Sequence, residues 1–164
     1  MEYICEDIAK MIDHSLLRPE LTDEDIIEGF ETEKKYNVAT ICCGPSSVAL
    51  AKKHLDGTDV KVTTVVGFPN GYNKTETKVS EAEQAINDGA VELDMVINIG
   101  KLLSRDFDYV KNDIKAVADV AHRENVLLKV ILENHYLTDE LIETGCKLAE
   151  EAGADFVKTS TGFA

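Results

Sequence analysis

The chain predicts an α/β fold built on a parallel sheet. Short, apolar, β-branched runs alternate repeatedly with longer segments of helical period. The strand-like runs carry few polar interruptions, as expected of strands covered on both faces. No Pro/Ser-rich linker or low-complexity tract divides the 164 residues, so a single domain over 1–164 is expected. Strands that alternate with helices pair in parallel through right-handed crossovers. Two architectures satisfy the pattern: an open doubly wound sheet and a (β/α) barrel.

The elements follow in order. Met11-Ile-Asp-His-Ser-Leu-Leu17 reads as a short strand, and Thr22 with Asp25 opens the helix after it. Val38 to Cys42 is strand-like, and Ser46 to Leu55 reads as a helix. Val60 to Val66 is the clearest strand, being almost entirely β-branched. Gly67-Phe-Pro-Asn-Gly-Tyr72 is a loop, after which Asn73 and Glu76 are placed to form a capping box. Val79, Ala82, Ala85 and Ile86 share one face of the next helix, which Asp88-Gly89 closes. Val91 to Ile97 is a strand, followed by a helix around Val110, Ile114, Val117 and Val120. Val126 to Leu132 is a strand, Thr138 caps a helix ending at Ala152-Gly153, and Phe156 to Ser160 is the last strand.

Composition excludes several classes. The net charge of −14 argues against nucleic acid, whose phosphates demand clustered Lys and Arg. It does not oppose a small phosphorylated substrate, which needs only a local N–H-lined or positive site. Cys5, Cys42, Cys43 and Cys146 form no CxxC pair or zinc spacing and read as reduced thiols of a cytoplasmic protein. No apolar run is long enough to span a membrane, and MEYICEDIAK is not a signal peptide. Neither Gly-x-Gly-x-x-Gly, a P-loop, HExxH nor a facial triad is present, so no nucleotide cofactor or metal is expected.

Three strands carry an ionisable residue that the local pattern does not require: Asp94 in ELDMVI, Lys129 in LLKVILE and Lys158 in FVKTST. Side chains alternate across a strand. Asp94 therefore opposes Leu93 and Met95, Lys129 opposes Leu128 and Val130, and Lys158 opposes Val157 and Thr159. In an open sheet these groups point into a helix layer. In a barrel they converge near its C-terminal mouth, where active sites sit. Singly, each has a bland reading as a cap, edge or snorkelling residue. Together they point to carbonyl chemistry: an Asp keeps one lysine charged, and that charge helps the other lose its proton. Asp13-His14 either orients substrate or satisfies backbone groups. Cys42-Cys43 reads as buried small hydrophobes, and the carboxylates of TDEDIIEGFETEKK as a solvated helix face.

These residues resemble the deoxyribose-phosphate aldolase family. The likeness spans essentially the whole chain. It runs through Met11 to Pro19, Ala39-Thr-Ile-Cys-Cys-Gly-Pro45, Val65-Val-Gly-Phe-Pro-Asn-Gly71, Glu92 to Gly100, Leu128 to Glu133 and Ala154 to Phe163, in order and spacing. The resemblance implies a (β/α)8 barrel and a class I, Schiff-base aldolase without metal or cofactor. It implies reversible cleavage of 2-deoxy-D-ribose 5-phosphate to D-glyceraldehyde 3-phosphate and acetaldehyde. By motif, Lys158 is the Schiff-base lysine, Asp94 its acidic partner in proton transfer, and Lys129 the third member of the charge network. Asp13 and Cys42 match positions that line the substrate pocket. Thr161 and Gly162 match the start of the phosphate-binding wall.

The family continues beyond the Thr-Gly-Phe element with two more strand–helix units, a second active-site lysine and the main phosphate loops. Barrels of this type run to about 250 residues, with about 200 as the usual lower end. The chain is therefore expected to form about six of eight strands, to expose its first and last strands as edges, and to turn over weakly or not at all alone. The alternatives are another Schiff-base barrel lyase and a non-catalytic fragment that joins another chain through its open edges. A homo-oligomer is compatible with either.

Overall fold

Successive strands of this chain lie side by side in chain order, all parallel, and the sheet they form curls into a trough. The computed structural model describes residues 3–164. Its elements are α1 (Cys5–Ala9), β1 (Asp13–Leu16), α2 (Asp23–Tyr36), β2 (Thr40–Cys43), α3 (Val48–His54), β3 (Lys61–Val66) and α4 (Thr75–Asp88). They continue with β4 (Glu92–Val96), α5 (Ile99–Leu103), α6 (Phe107–Arg123), β5 (Leu127–Ile131), α7 (Asp139–Glu151) and β6 (Phe156–Lys158). The sheet order is β1-β2-β3-β4-β5-β6.

The curvature shows in the contacts that cross the interior. In a flat sheet, β1 and β6 would stand about 24 Å apart, five spacings of about 4.8 Å. Yet Asp13 on β1 accepts a hydrogen bond from Lys158 on β6 at 2.9 Å. The strands therefore wrap around a common interior, as in a half-barrel, and the open doubly wound alternative is eliminated.

Strand alternation sorts the side chains. Ile41, Cys43, Val62, Val66, Leu93, Met95, Leu128 and Val130 face outward and are buried against Phe30, Val48, Ala82, Ala85, Ile114 and Val117 of the surrounding helices. Burying such side chains contributes about 1.5–3 kcal/mol each, so the outer face supplies the core. The inner face carries Asp13, Thr40, Cys42, Glu92, Asp94, Lys129 and Lys158.

Local signals set most element ends. Thr22 and Asp25 form a reciprocal capping box on α2, and the Thr138 hydroxyl accepts from the Leu141 amide. Gly89 ends α4 in the left-handed region at φ 109°. The expected Asn73–Glu76 capping box is not formed: Lys74 occupies the N-cap, with no side-chain cap bond. Thr75 at the first helical position instead donates across to Asp113 on α6 at 2.7 Å, so a tertiary contact fixes this helix start. The first turn expected of the Ser46–Leu55 helix is a 3-10 turn, Pro45–Ser47. Gly71 holds φ +71°, and a Cβ there would overlap the Ile97 carbonyl, so the loop after β3 can lie against the end of β4 only with glycine. No described helix is long and apolar enough to cross a membrane.

Candidate active site

Four strands deliver a carboxylate–lysine cluster to the inner face. Asp13 opens β1, Asp94 lies in β4, Lys129 in β5 and Lys158 ends β6. The Lys158 ammonium donates to Asp94 Oδ2 at 2.5 Å and to Asp13 Oδ2 at 2.9 Å. The Lys129 ammonium lies 2.5 Å from Glu92 Oε2, 3.2 Å from Asp13 Oδ2 and 3.4 Å from Asp94 Oδ1. Thr40 on β2 donates to Asp13 Oδ1 at 2.7 Å, which leaves Oδ2 aimed at the two lysines. The Asp94 side chain is 1% exposed and that of Lys158 is 32% exposed, so the pair has a buried acid and an accessible amine.

The electrostatics follow from this packing. Burial raises the Asp94 carboxyl above its ordinary value, and Lys129 and Lys158 offset this only in part. Burial also pushes Asp13 up, but Lys129, Thr40 and Lys158 outweigh it and hold its carboxyl below the usual range. For Lys158, burial favours the neutral amine, but the hydrogen bonds and charges of Asp94 and Asp13 prevail and raise it. Lys129 is raised further, its burial overcome by Asp94, Glu92 and Asp13.

This corrects the expectation that one lysine would discharge the other. Three carboxylates surround two ammonium groups, and attraction to the carboxylates exceeds repulsion between the cations. The extra carboxylate is Glu92, which the sequence reading did not single out. It lies two residues before Asp94, on the same strand face by alternation.

The remaining sequence candidates divide. Cys42 is fully buried on the inner face; burial, then Asp94 and Asp13, push its thiol far above the ordinary range. It is a neutral lining group, not a thiolate. Thr161 and Gly162 do not join the lysine cluster. Thr161 lies past β6, where its amide donates to Glu133 Oε2 at 3.1 Å and its hydroxyl donates to the same oxygen. Gly162 is exposed at φ +87°, with open space around the position of a Cβ. A cavity of about 330 Å³ lies here, between the loops after β3, β4, β5 and β6, lined by Tyr72, Asn98, Glu133, Thr161 and Phe163 among others. His14 points outward and pairs with Glu33 on α2, so Asp13 and His14 serve opposite faces. Glu33 is consequently buried, unlike the solvated face expected of its helix.

A parallel β/α trough with lysines and carboxylates converging on its inner face defines a barrel-type enzyme. The comparisons narrow the class: residues 8–164 match the DeoC/LacD family aldolase, and the chain belongs to that family. A deoxyribose-phosphate aldolase of Thermococcus gammatolerans is 54% identical over 159 residues, covering 96% of this chain and 71% of the relative. The tetrameric deoxyribose phosphate aldolase of Aeropyrum pernix superposes with a TM-score of 0.90 at 31% identity, covering 98% of this chain and 67% of that one. A Coccidioides immitis structure, assigned provisionally to the same activity, gives 0.95 at 44% identity, covering 99% of this chain and 63% of that one. The chain thus spans 63–71% of the length of these relatives.

Proposed function

We propose that this chain carries the Schiff-base centre of a deoxyribose-phosphate aldolase, which cleaves 2-deoxy-D-ribose 5-phosphate to D-glyceraldehyde 3-phosphate and acetaldehyde. The observation that carries the reading is the pairing of an accessible lysine, Lys158, with a buried carboxylate whose proton affinity is raised, Asp94. Lys129, clamped by three carboxylates, stays charged and balances the site.

The chemistry fits this division. Proton transfer from the Lys158 ammonium to Asp94 leaves a neutral amine beside a neutral acid. The amine adds to C1 of the open-chain sugar, and Asp94 returns the proton as water leaves, giving a protonated imine. The Asp94 carboxylate, free again, takes the C3 hydroxyl proton and the C2–C3 bond breaks: C3 becomes the carbonyl carbon of the departing glyceraldehyde 3-phosphate, and the bonding pair enters the C1–C2 enamine. Protonation at C2 and hydrolysis release acetaldehyde and free Lys158. Acid–base positioning of this kind contributes about 10²–10⁴-fold. Asp13 and Cys42 line the same interior. Thr161 and Gly162, past the end of β6, form the start of the wall for the phosphate.

We further infer that the 164 residues act as one partial barrel. The homo-oligomeric state is supported by the tetrameric relative, and a cytoplasmic location by the free cysteines Cys5, Cys42, Cys43 and Cys146. The carboxylates in contact with Lys158 raise its proton affinity, so turnover by these residues alone is expected to be far below that of the Thermococcus gammatolerans relative. A coupled assay of glyceraldehyde 3-phosphate release tests this, with Lys158→Arg as control. Release that survives in Lys158→Arg contradicts the assignment. Turnover equal to the relative's contradicts the role given to the raised amine.

A further inference from the structure

Among the described residues, Lys78 is the one lysine buried in the apolar core. It sits on α4, where its helix otherwise buries Ala82 and Ala85, and its side chain is wholly shielded from solvent. Its ammonium donates to Asp113 Oδ2 on α6 at 2.6 Å and to the Val96 carbonyl at 3.0 Å. The other Asp113 oxygen accepts from the Thr75 hydroxyl at 2.7 Å. Glu81, the remaining charged group near Lys78, accepts from the Gly67 amide at 2.7 Å.

The Val96 carbonyl explains the arrangement. The β3–β4 ladder ends with Val66 opposite Met95. At Gly67 the chain turns away with φ +65° and commits its amide to Glu81. Val96, the last residue of β4, lies one position past that rung, and its carbonyl accepts from the Lys78 ammonium. Gly67 is fitted to this, because a Cβ there would come within 2.8 Å of the Lys78 side chain. Val96 is two residues beyond Asp94, on the same strand face.

We propose that Lys78 is a positioning residue: by holding the Val96 carbonyl just past the β3–β4 ladder it fixes the C-terminal end of β4, and with it the aim of Asp94 at Lys158. The inference rests on the reading of Asp94 and Lys158 given above. Stability alone is a poor reason for such a pair. Desolvating both charges offsets most of their attraction, and apolar residues of similar volume often serve as well. What apolar residues cannot supply is a donor for the strand carbonyl.

The test compares the native chain with the double variant K78M/D113L, which removes both charges and keeps the volume. Three quantities are measured: the urea midpoint, the titration of the Asp94 carboxyl followed by ¹³C NMR, and the rate of reductive labelling of Lys158 by acetaldehyde and cyanoborohydride. The expected result is a near-native urea midpoint, a displaced Asp94 titration, and labelling slowed about ten- to a hundred-fold, as for a small misplacement of catalytic groups. A folded double variant with native Asp94 titration and native labelling overturns the proposal. Should that variant not fold, Thr75→Val loosens Asp113 at a half-buried site. It is expected to displace the Asp94 titration in the same direction, and an unchanged titration there overturns the proposal equally. Absence of labelling in the native chain would count against the aldolase reading, while the Asp94 titration would still decide the role of Lys78.

Discussion

Asp13 touches both interior lysines, so it helps set the charge state of the site, after Asp94. Its carboxylate helps raise Lys158. Replacing it removes that contribution while burial, which favours the neutral amine, persists. Asp13→Asn is therefore expected to lower the pH at which Lys158 becomes reactive, read as an acid-shifted midpoint of reductive acetaldehyde labelling against pH. An unshifted or alkaline-shifted midpoint would contradict the assigned electrostatics. The strand patterns of Asp94, Lys129 and Lys158 already place these groups on the face opposite their apolar neighbours. Glu92 was accessible to the same alternation rule. Glu133 was not: it is buried at φ 55° and accepts from Thr161, a partner 28 residues away.

Among the elements, those ended by local chemistry were legible and those ended by tertiary contacts were not. Thr22, Thr138 and Gly89 act within one turn of their own helices, so their roles can be read from neighbouring residues. Asn73 loses its expected cap because Thr75 and Lys78 of α4 reach Asp113 on α6, 38 and 35 residues away. Strand ends are likewise shorter than the apolar runs, because a rung needs a neighbour as well as a suitable residue. Val91 to Ile97 contracts to Glu92–Val96, and Phe156 to Ser160 to Phe156–Lys158. Thr138→Ala is expected to destabilise the chain by about 1 kcal/mol, the usual cost of a lost N-cap. Urea denaturation checks this, with labelling at Lys158 unchanged in the folded variant. A loss of labelling at native stability would show that α7 is coupled to the site.

At the scale of the whole molecule, the trough leaves β1 and β6 as sheet edges among the described residues. Apolar side chains gather near the first edge: Tyr3, Ile4, Ile8, Met11, Ile12 and Tyr36 are all substantially exposed. Phe156 and Val157 are exposed at the other edge. Open parallel edges beside apolar surface favour self-association. Sedimentation velocity is expected to show concentration-dependent association that Ile8→Lys reduces; a strictly monomeric native chain over the same range contradicts this. The parallel order and the six strands were legible because each strand–helix unit carries its own periodicity. The choice between open sheet and barrel came from the family resemblance and not from any local pattern, since none reports curvature; the bridges from Asp13 to Lys129 and Lys158 do.

The proposed function requires that Lys158, and not its neighbour Lys129, attack the carbonyl. The most direct measurement is reductive trapping with acetaldehyde and cyanoborohydride, followed by peptide mapping, with and without 2-deoxy-D-ribose 5-phosphate as competitor. One ethyl group is expected to accumulate first on Lys158, to be suppressed by the sugar phosphate and to be lost in Lys158→Arg. Labelling that favours Lys129, or that spreads over surface lysines without regard to the competitor, would contradict it.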